Sequence, residues 1–183
     1  MNNLITLLKY FSPEFIRKRV LNELFQITAR AFGCAVPSTR GLAYPDLLKH
    51  YALFTRTEAE KVLRQHSQDL QEIRNRLFGQ AEQLGRELRE KLNISTDAEV
   101  MELGQKLYDL LGIKFQGDRQ GMVIISKCFF SEYYSNQVCQ LISALDEGIL
   151  TGLSGGGQLS FSQRITDGQN CCRAQFVSGG YHS

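Results

Sequence analysis

The sequence predicts an α+β fold, a helical N-terminal half packed on a small antiparallel sheet that ends in a C-terminal hairpin. Three observations predict it. Apolar residues at helical spacing, with capping signals, fill the first 112 positions; short alternating apolar segments begin at Ile113; and Asp167 and Gly168 make a turn between two alternating runs near the C-terminus. A chain of 183 residues with 43% hydrophobic content suits one domain. Positions 1–112 form its mainly helical part, and 113–178 a strand, helix and hairpin portion that carries the candidate site.

Ser12, Pro13 and Glu14 supply an N-cap, a first-turn proline and an acid at the positive end of the helix dipole, so a helix is expected from there to about Phe32, closed by Gly33. A loop to about Gly41 follows, then a short helix from Pro45 through Tyr51. Thr57 and Glu60 read as a capping box opening the longest helix, which runs to Leu92. Its Leu63, Leu70, Leu77 and Leu84 fall on a heptad, with Ile73 and Leu88 on neighbouring turns. Packing inside the domain is the first reading of that stripe, and pairing with a second copy of the chain as a homodimer is the other.

Thr96 and Glu99 form a second capping box, followed by Val100, Leu103, Leu107, Leu110 and Leu111 until Gly112 stops the helix. Ile113 to Phe115 and Gly121 to Ser126 read as two strands around a turn at Gly117, Asp118 and Arg119. Tyr134, Val138, Leu141 and Leu145 then set a helix from Ser131 to about Leu150. The run Gly152 through Gly157 reads as a loop. Leu159, Phe161 and Ile165 alternate as a strand, and Cys172, Ala174 and Phe176 as its hairpin partner.

The net charge is only +2, and no basic stripe alternates with aromatics, so no nucleic-acid partner is expected. No uncharged apolar run approaches the roughly 20 residues that cross a bilayer, and Met1 to Tyr10 lacks a basic leader and a cleavage site, so neither a membrane nor a signal peptide is expected. Five cysteines without a secreted-scaffold spacing point to reduced thiols in a cytoplasmic protein. Cys34, before a loop, reads as structural.

The other four sulfurs lie in the last third. Cys128 stands at a strand end just before a helix N-terminus, where backbone amides favour a thiolate; alternatively it is a small buried hydrophobe on the Met122, Ile124 and Ser126 face. Cys139 and Asp146, seven residues apart, share a helix face, and Ser143 lies on that side too. Spacing alone leaves that pair open between a site lining and an unrelated thiol and acid. Cys171 and Cys172 are adjacent on a strand, so Cys172, with Ala174 and Phe176, points inward and Cys171 outward. No C-x-x-C pair occurs, and His50, His66 and His182 lie elsewhere, so no metal or cofactor is expected; zinc is the metal that converging thiols would suit. No serine-hydrolase elbow, phosphate loop or dinucleotide fingerprint is present.

The C-terminal half resembles the L-2-amino-thiazoline-4-carboxylic acid hydrolase family. The matching residues are Cys128 and Phe130 after an apolar strand, Cys139 and Asp146 on the next helix, Gly152, and the ending Gly168 through Phe176. The chain departs from the family's usual residues at Phe129, Ser143, Gln169 and Ala174. The resemblance, distantly shared with vinyl-reductase-type ligand-binding domains, implies either of two functions. One is hydrolysis of a C–N bond in a small cyclic amidine or thiazoline-like ring, within a biosynthetic or catabolic route. Cys128 or Cys139 would then be the nucleophile, Asp146 would move a proton, Cys172 would complete the catalytic group, and Ser143 and Phe130 would bind substrate. The other is non-catalytic, sensor-type binding of a small molecule.

Overall fold

The absence of Gly and Pro between Tyr51 and Thr57 decides the first departure from the sequence reading. The computed structural model describes residues 13–64, 68–118 and 120–179. Four helices come first: α1 (Glu14–Phe32), α2 (Tyr44–Arg64), α3 (Gln68–Leu92) and α4 (Asp97–Leu110). Helix α2 runs straight through Thr57, because nothing there breaks it and Tyr51, Ala52, Thr55 and Ala59 bury one continuous stripe. The expected capping box does not form. Glu60 instead pairs with Arg56 and Arg64 along the same helix. The long helix expected from Thr57 to Leu92 is thus the end of α2 plus α3. Ser12, Arg119, His66 and His182 lie outside the described residues.

Other signals hold. Gly33 takes a left-handed φ of 69°, its N–H bonding to Arg30, while the Cys34 N–H reaches back to Ala29, as a glycine-closed helix end requires. At α4 both halves of the Thr96–Glu99 capping box are present, with the Glu99 N–H on Thr96 Oγ1 at 3.3 Å and the Thr96 N–H on Glu99 Oε2 at 3.0 Å.

Strands β1 (Ile113–Gly117) and β2 (Met122–Cys128), helix α5 (Asn136–Ser154), and strands β3 (Gln158–Gln163) and β4 (Cys172–Val177) complete the fold. The strands form one antiparallel sheet in the order β1-β2-β4-β3, with β3 and β4 as the C-terminal hairpin. Ile165 lies outside this hairpin's ladder, in a short 3₁₀ turn that ends at Gly168. Inward residues Ile113, Phe115, Val123, Ile125, Leu159, Cys172, Ala174 and Phe176 join the helices in one hydrophobic core.

Helix α5 is central, and small residues set its position. It continues past Leu150 because Gly152, expected in a loop, is a packing residue. A Cβ on Gly152 would lie 2.1 Å from the Glu82 carbonyl oxygen, one on Gly148 would lie 2.3 Å from that of Phe78, and one on Gly85 would lie 2.3 Å from that of Ile149. With Ala81 and Ala144 buried between them, these glycines let α3 and α5 approach backbone to backbone. The loop begins only at Gly155, which takes φ 72°. Of the heptad leucines, Leu77 is buried in this core, and Leu63, Leu70 and Leu84 pack against it. No helix among the described residues is long and apolar enough to cross a membrane.

Candidate functional site

The face of α5 opposite its glycines carries Cys139, Ile142, Ser143, Asp146 and Ile149, spaced three and four apart, and all five line one cavity. Ser135 caps the helix, its hydroxyl accepting the Val138 N–H. Apolar walls come from Leu24 of α1, Leu111 after α4, Ile113 of β1, Ile125 of β2 and Phe161 of β3. The cavity has a volume of about 80 Å³, room for a small guest. Its polar groups are few and come from α2, α4, α5, strands β2 and β4, and the turns after β2 and β3.

Cys128 reaches this cavity by a β-bulge. Ile113 pairs with Cys128 and Phe115 with Ile125, so β2 carries one extra residue opposite β1, and Ser126 and Lys127 are both exposed. The extra residue reverses the alternation. Cys128 therefore turns inward with Val123 and Ile125, whereas Met122 and Ser126, the face assumed for it from simple alternation, point outward. The chain then enters a four-residue 3₁₀ turn, Phe129–Glu132.

All six site residues expected from the sequence line this cavity: Cys128, Phe130, Cys139, Ser143, Asp146 and Cys172. Phe130 is buried and stacks on Tyr134 at 5.5 Å. Cys172 points inward on β4, and its sulfur accepts the Ile165 N–H at 3.4 Å. Cys171 does not line the cavity; Gln163 Nε2 donates to its carbonyl at 3.1 Å. Cys34 lies after α1, also away from it.

Burial sets the electrostatics. It pushes the Cys128 thiol up to about 12, against the pull of the Ser131 and Phe130 amides. The helix expected from Ser131 begins only at Asn136, so the amides near this thiol belong to the short 3₁₀ turn, and desolvation outweighs them. Burial likewise raises Cys139, which Thr166 and Arg164 pull down, and Cys172, which the Ile165 amide pulls down. Asp146 is raised by burial to about 7, with the Tyr108 hydroxyl, which donates to it at 2.8 Å, pulling the other way. A carboxyl held there gains and loses its proton near neutrality.

Sequence reasoning missed Tyr108, Arg164 and Thr166. Tyr108 sits four residues after Gly104 on the buried stripe of α4, a position that the leucine count passed over. Arg164 falls in the polar phase of the Leu159, Phe161 and Ile165 alternation, so no sequence signal marked it. Its Nη2 donates to Ser143 Oγ at 3.2 Å, its guanidinium lies 4.7 Å from the centre of the Phe161 ring, and its Nε is buried with no protein partner. Tyr51 and Tyr134 also line the cavity and are tied down by threonines, Tyr51 to Thr28 at 2.9 Å and Tyr134 to Thr55. Among the described residues, no three or more His, Cys, Asp or Glu groups are arranged to hold a metal.

No protein-family model matches the sequence, and neither does any curated protein. Solved structures do. A trafficking protein particle complex subunit 3 from Naegleria fowleri is similar with a TM-score of 0.52 at 13% identity, over 75% of this chain and 98% of that one. An H-NOX domain from Shewanella oneidensis aligns with a TM-score of 0.40 at 15% identity, over 89% of this chain and 90% of that one. The first likeness is one of fold alone.

Proposed function

We propose that this chain encloses a small heterocycle and hydrolyses a C–N bond in it, the substrate being a cyclic amidine or thiazoline-like ring, as members of the L-2-amino-thiazoline-4-carboxylic acid hydrolase family would. One observation carries the reading: a carboxyl poised near neutrality, Asp146, shares the wall of one cavity with the thiols of Cys128, Cys139 and Cys172. Thiols that burial keeps protonated need a base before they attack, and a carboxyl held near 7 can take a proton and give it back. In this reading Asp146 accepts the proton of Cys128 or Cys139 as the sulfur bonds to the amidine carbon. It returns that proton to the ring nitrogen as the C–N bond breaks. Water then displaces the sulfur and restores the thiol. Cys172 completes the wall, Phe130 packs on the ring and Ser143 helps hold the substrate.

Ring opening of a panel of cyclic amidines by the protein and by Cys128→Ser, Cys139→Ser and Asp146→Asn tests it. Full turnover in all three variants would end the thiol mechanism.

A second reading belongs to a different class. Burial raises all three cavity thiols, and most of the wall is apolar, which suits a sensor-type domain that holds an apolar or aromatic ligand without turning it over. The similar trafficking subunit was solved covalently bound to palmitic acid, so a fatty acyl group belongs among the ligands tried. Saturable binding without any product separates this class from the first.

A further inference from the structure

Arg164 stands on two surfaces at once. It lines the cavity, and it also lines a groove of about 430 Å³ formed by Leu63, Leu70, Arg74, Gln137 and Gln140 where the end of α2 and the starts of α3 and α5 meet. The cavity and the groove share this one side chain among the described residues that line them. From this position we infer that Arg164 is the gate of the cavity, and that small molecules pass between groove and cavity when its guanidinium swings off Ser143. The inference holds whether the cavity turns its ligand over or only retains it.

The fastening is light. Ser143 Oγ spends its own proton on the Gln140 carbonyl at 2.9 Å and accepts one hydrogen bond from Arg164 Nη2 at 3.2 Å. The Phe161 ring steadies the guanidinium from beneath, and Nε makes no protein bond at all. An arginine built as a fixed structural tie spreads its fork over two acceptors; this one is held at a single nitrogen. Arg74, across the groove, shows the contrast, bonded both to Glu147 at 2.5 Å and to the Gln140 carbonyl at 3.3 Å. One arginine anchors the groove wall at two acceptors, and the other is held by one hydrogen bond and one ring.

Alkylation by iodoacetamide, a small neutral reagent, reads the gate through Cys139, whose rate is followed by peptide mass spectrometry at fixed pH. Two roles for Arg164 predict opposite signs. As a mere charged neighbour, Arg164 lowers the Cys139 pKa, so Arg164→Ala would leave less thiolate and slow the reaction. As a gate, its removal opens the path, and Cys139 in Arg164→Ala should react roughly fivefold faster, the population change that one net hydrogen bond controls. Cys34, outside the cavity, should keep its rate. An unchanged or slower Cys139 overturns the gate. If Cys34 speeds up as well, the chain has loosened as a whole, and Ser143→Ala decides: it removes only the fastening, and Cys139 alone should react faster, whereas an unchanged rate there overturns the proposal.

Discussion

The Tyr108 hydroxyl donates to Asp146 Oδ1 at 2.8 Å, tying α4 to the central helix α5 at the wall of the cavity. That bond favours the carboxylate, burial opposes it, and burial wins, leaving the carboxyl at about 7 against an ordinary value of 3.8. The folded state therefore binds the proton more tightly than the unfolded chain. The stabilisation this provides is fully present below about pH 4 and is lost as the pH rises through about 7, by on the order of a few kcal/mol. Urea unfolding at pH 5 and pH 8 should show the wild type losing stability relative to Asp146→Asn. A constant difference between the two proteins would contradict it.

The same titration sets a rate profile. If Asp146 takes the thiol proton, kcat/KM for a cyclic amidine that does not itself titrate should rise between about pH 6 and 8. A profile governed only by a group near 12, as Cys128 stands unaided, would mean that Asp146 plays no such part.

Close helix contact makes Gly152 sensitive in a direction opposite to helix propensity. In an open helix, Gly→Ala gains about 1 kcal/mol. Here the added methyl would meet the Glu82 carbonyl at 2.1 Å, and Gly152→Ala should cost about 1–3 kcal/mol in chemical denaturation. A neutral or stabilising result would mean that α3 and α5 are not so close.

Thr55 binds the Tyr134 hydroxyl and its own helix at the Tyr51 carbonyl. Thr55→Val keeps the shape and leaves the buried tyrosine without that partner, at a cost of about 1–3 kcal/mol. Adding Tyr134→Phe should recover part of the loss, because no orphaned hydroxyl then remains. A double variant no better than the single one would place the cost elsewhere.

Several features could be read directly from sequence because local chemistry fixes them: the Gly33 stop, the Thr96–Glu99 box, and the alternation of Cys172, Ala174 and Phe176. The convergence of Cys139, Ser143 and Asp146 on one face followed from helical spacing. What was not legible depends on distant partners. Gly152 reads as a loop residue until α3 is laid against it, and Thr57 reads as a cap unless the stripe from Tyr51 to Ala59 is known to be buried as one. The inward turn of Cys128 rests on a bulge between β1 and β2, a matter of pairing that β2 alone does not encode. Arg164 carried no motif, since its position matters only because a cavity lies on one side of it and a groove on the other.

The most direct measurement is turnover of a cyclic amidine panel by the wild type beside Asp146→Asn, with product identified by mass spectrometry. The expected result is ring-opened product from the wild type, with a rate roughly 10²–10⁴-fold lower in the variant, the usual contribution of a positioned acid–base group. Equal rates in the two proteins, or saturable binding with no product from either, would contradict hydrolysis at this cavity.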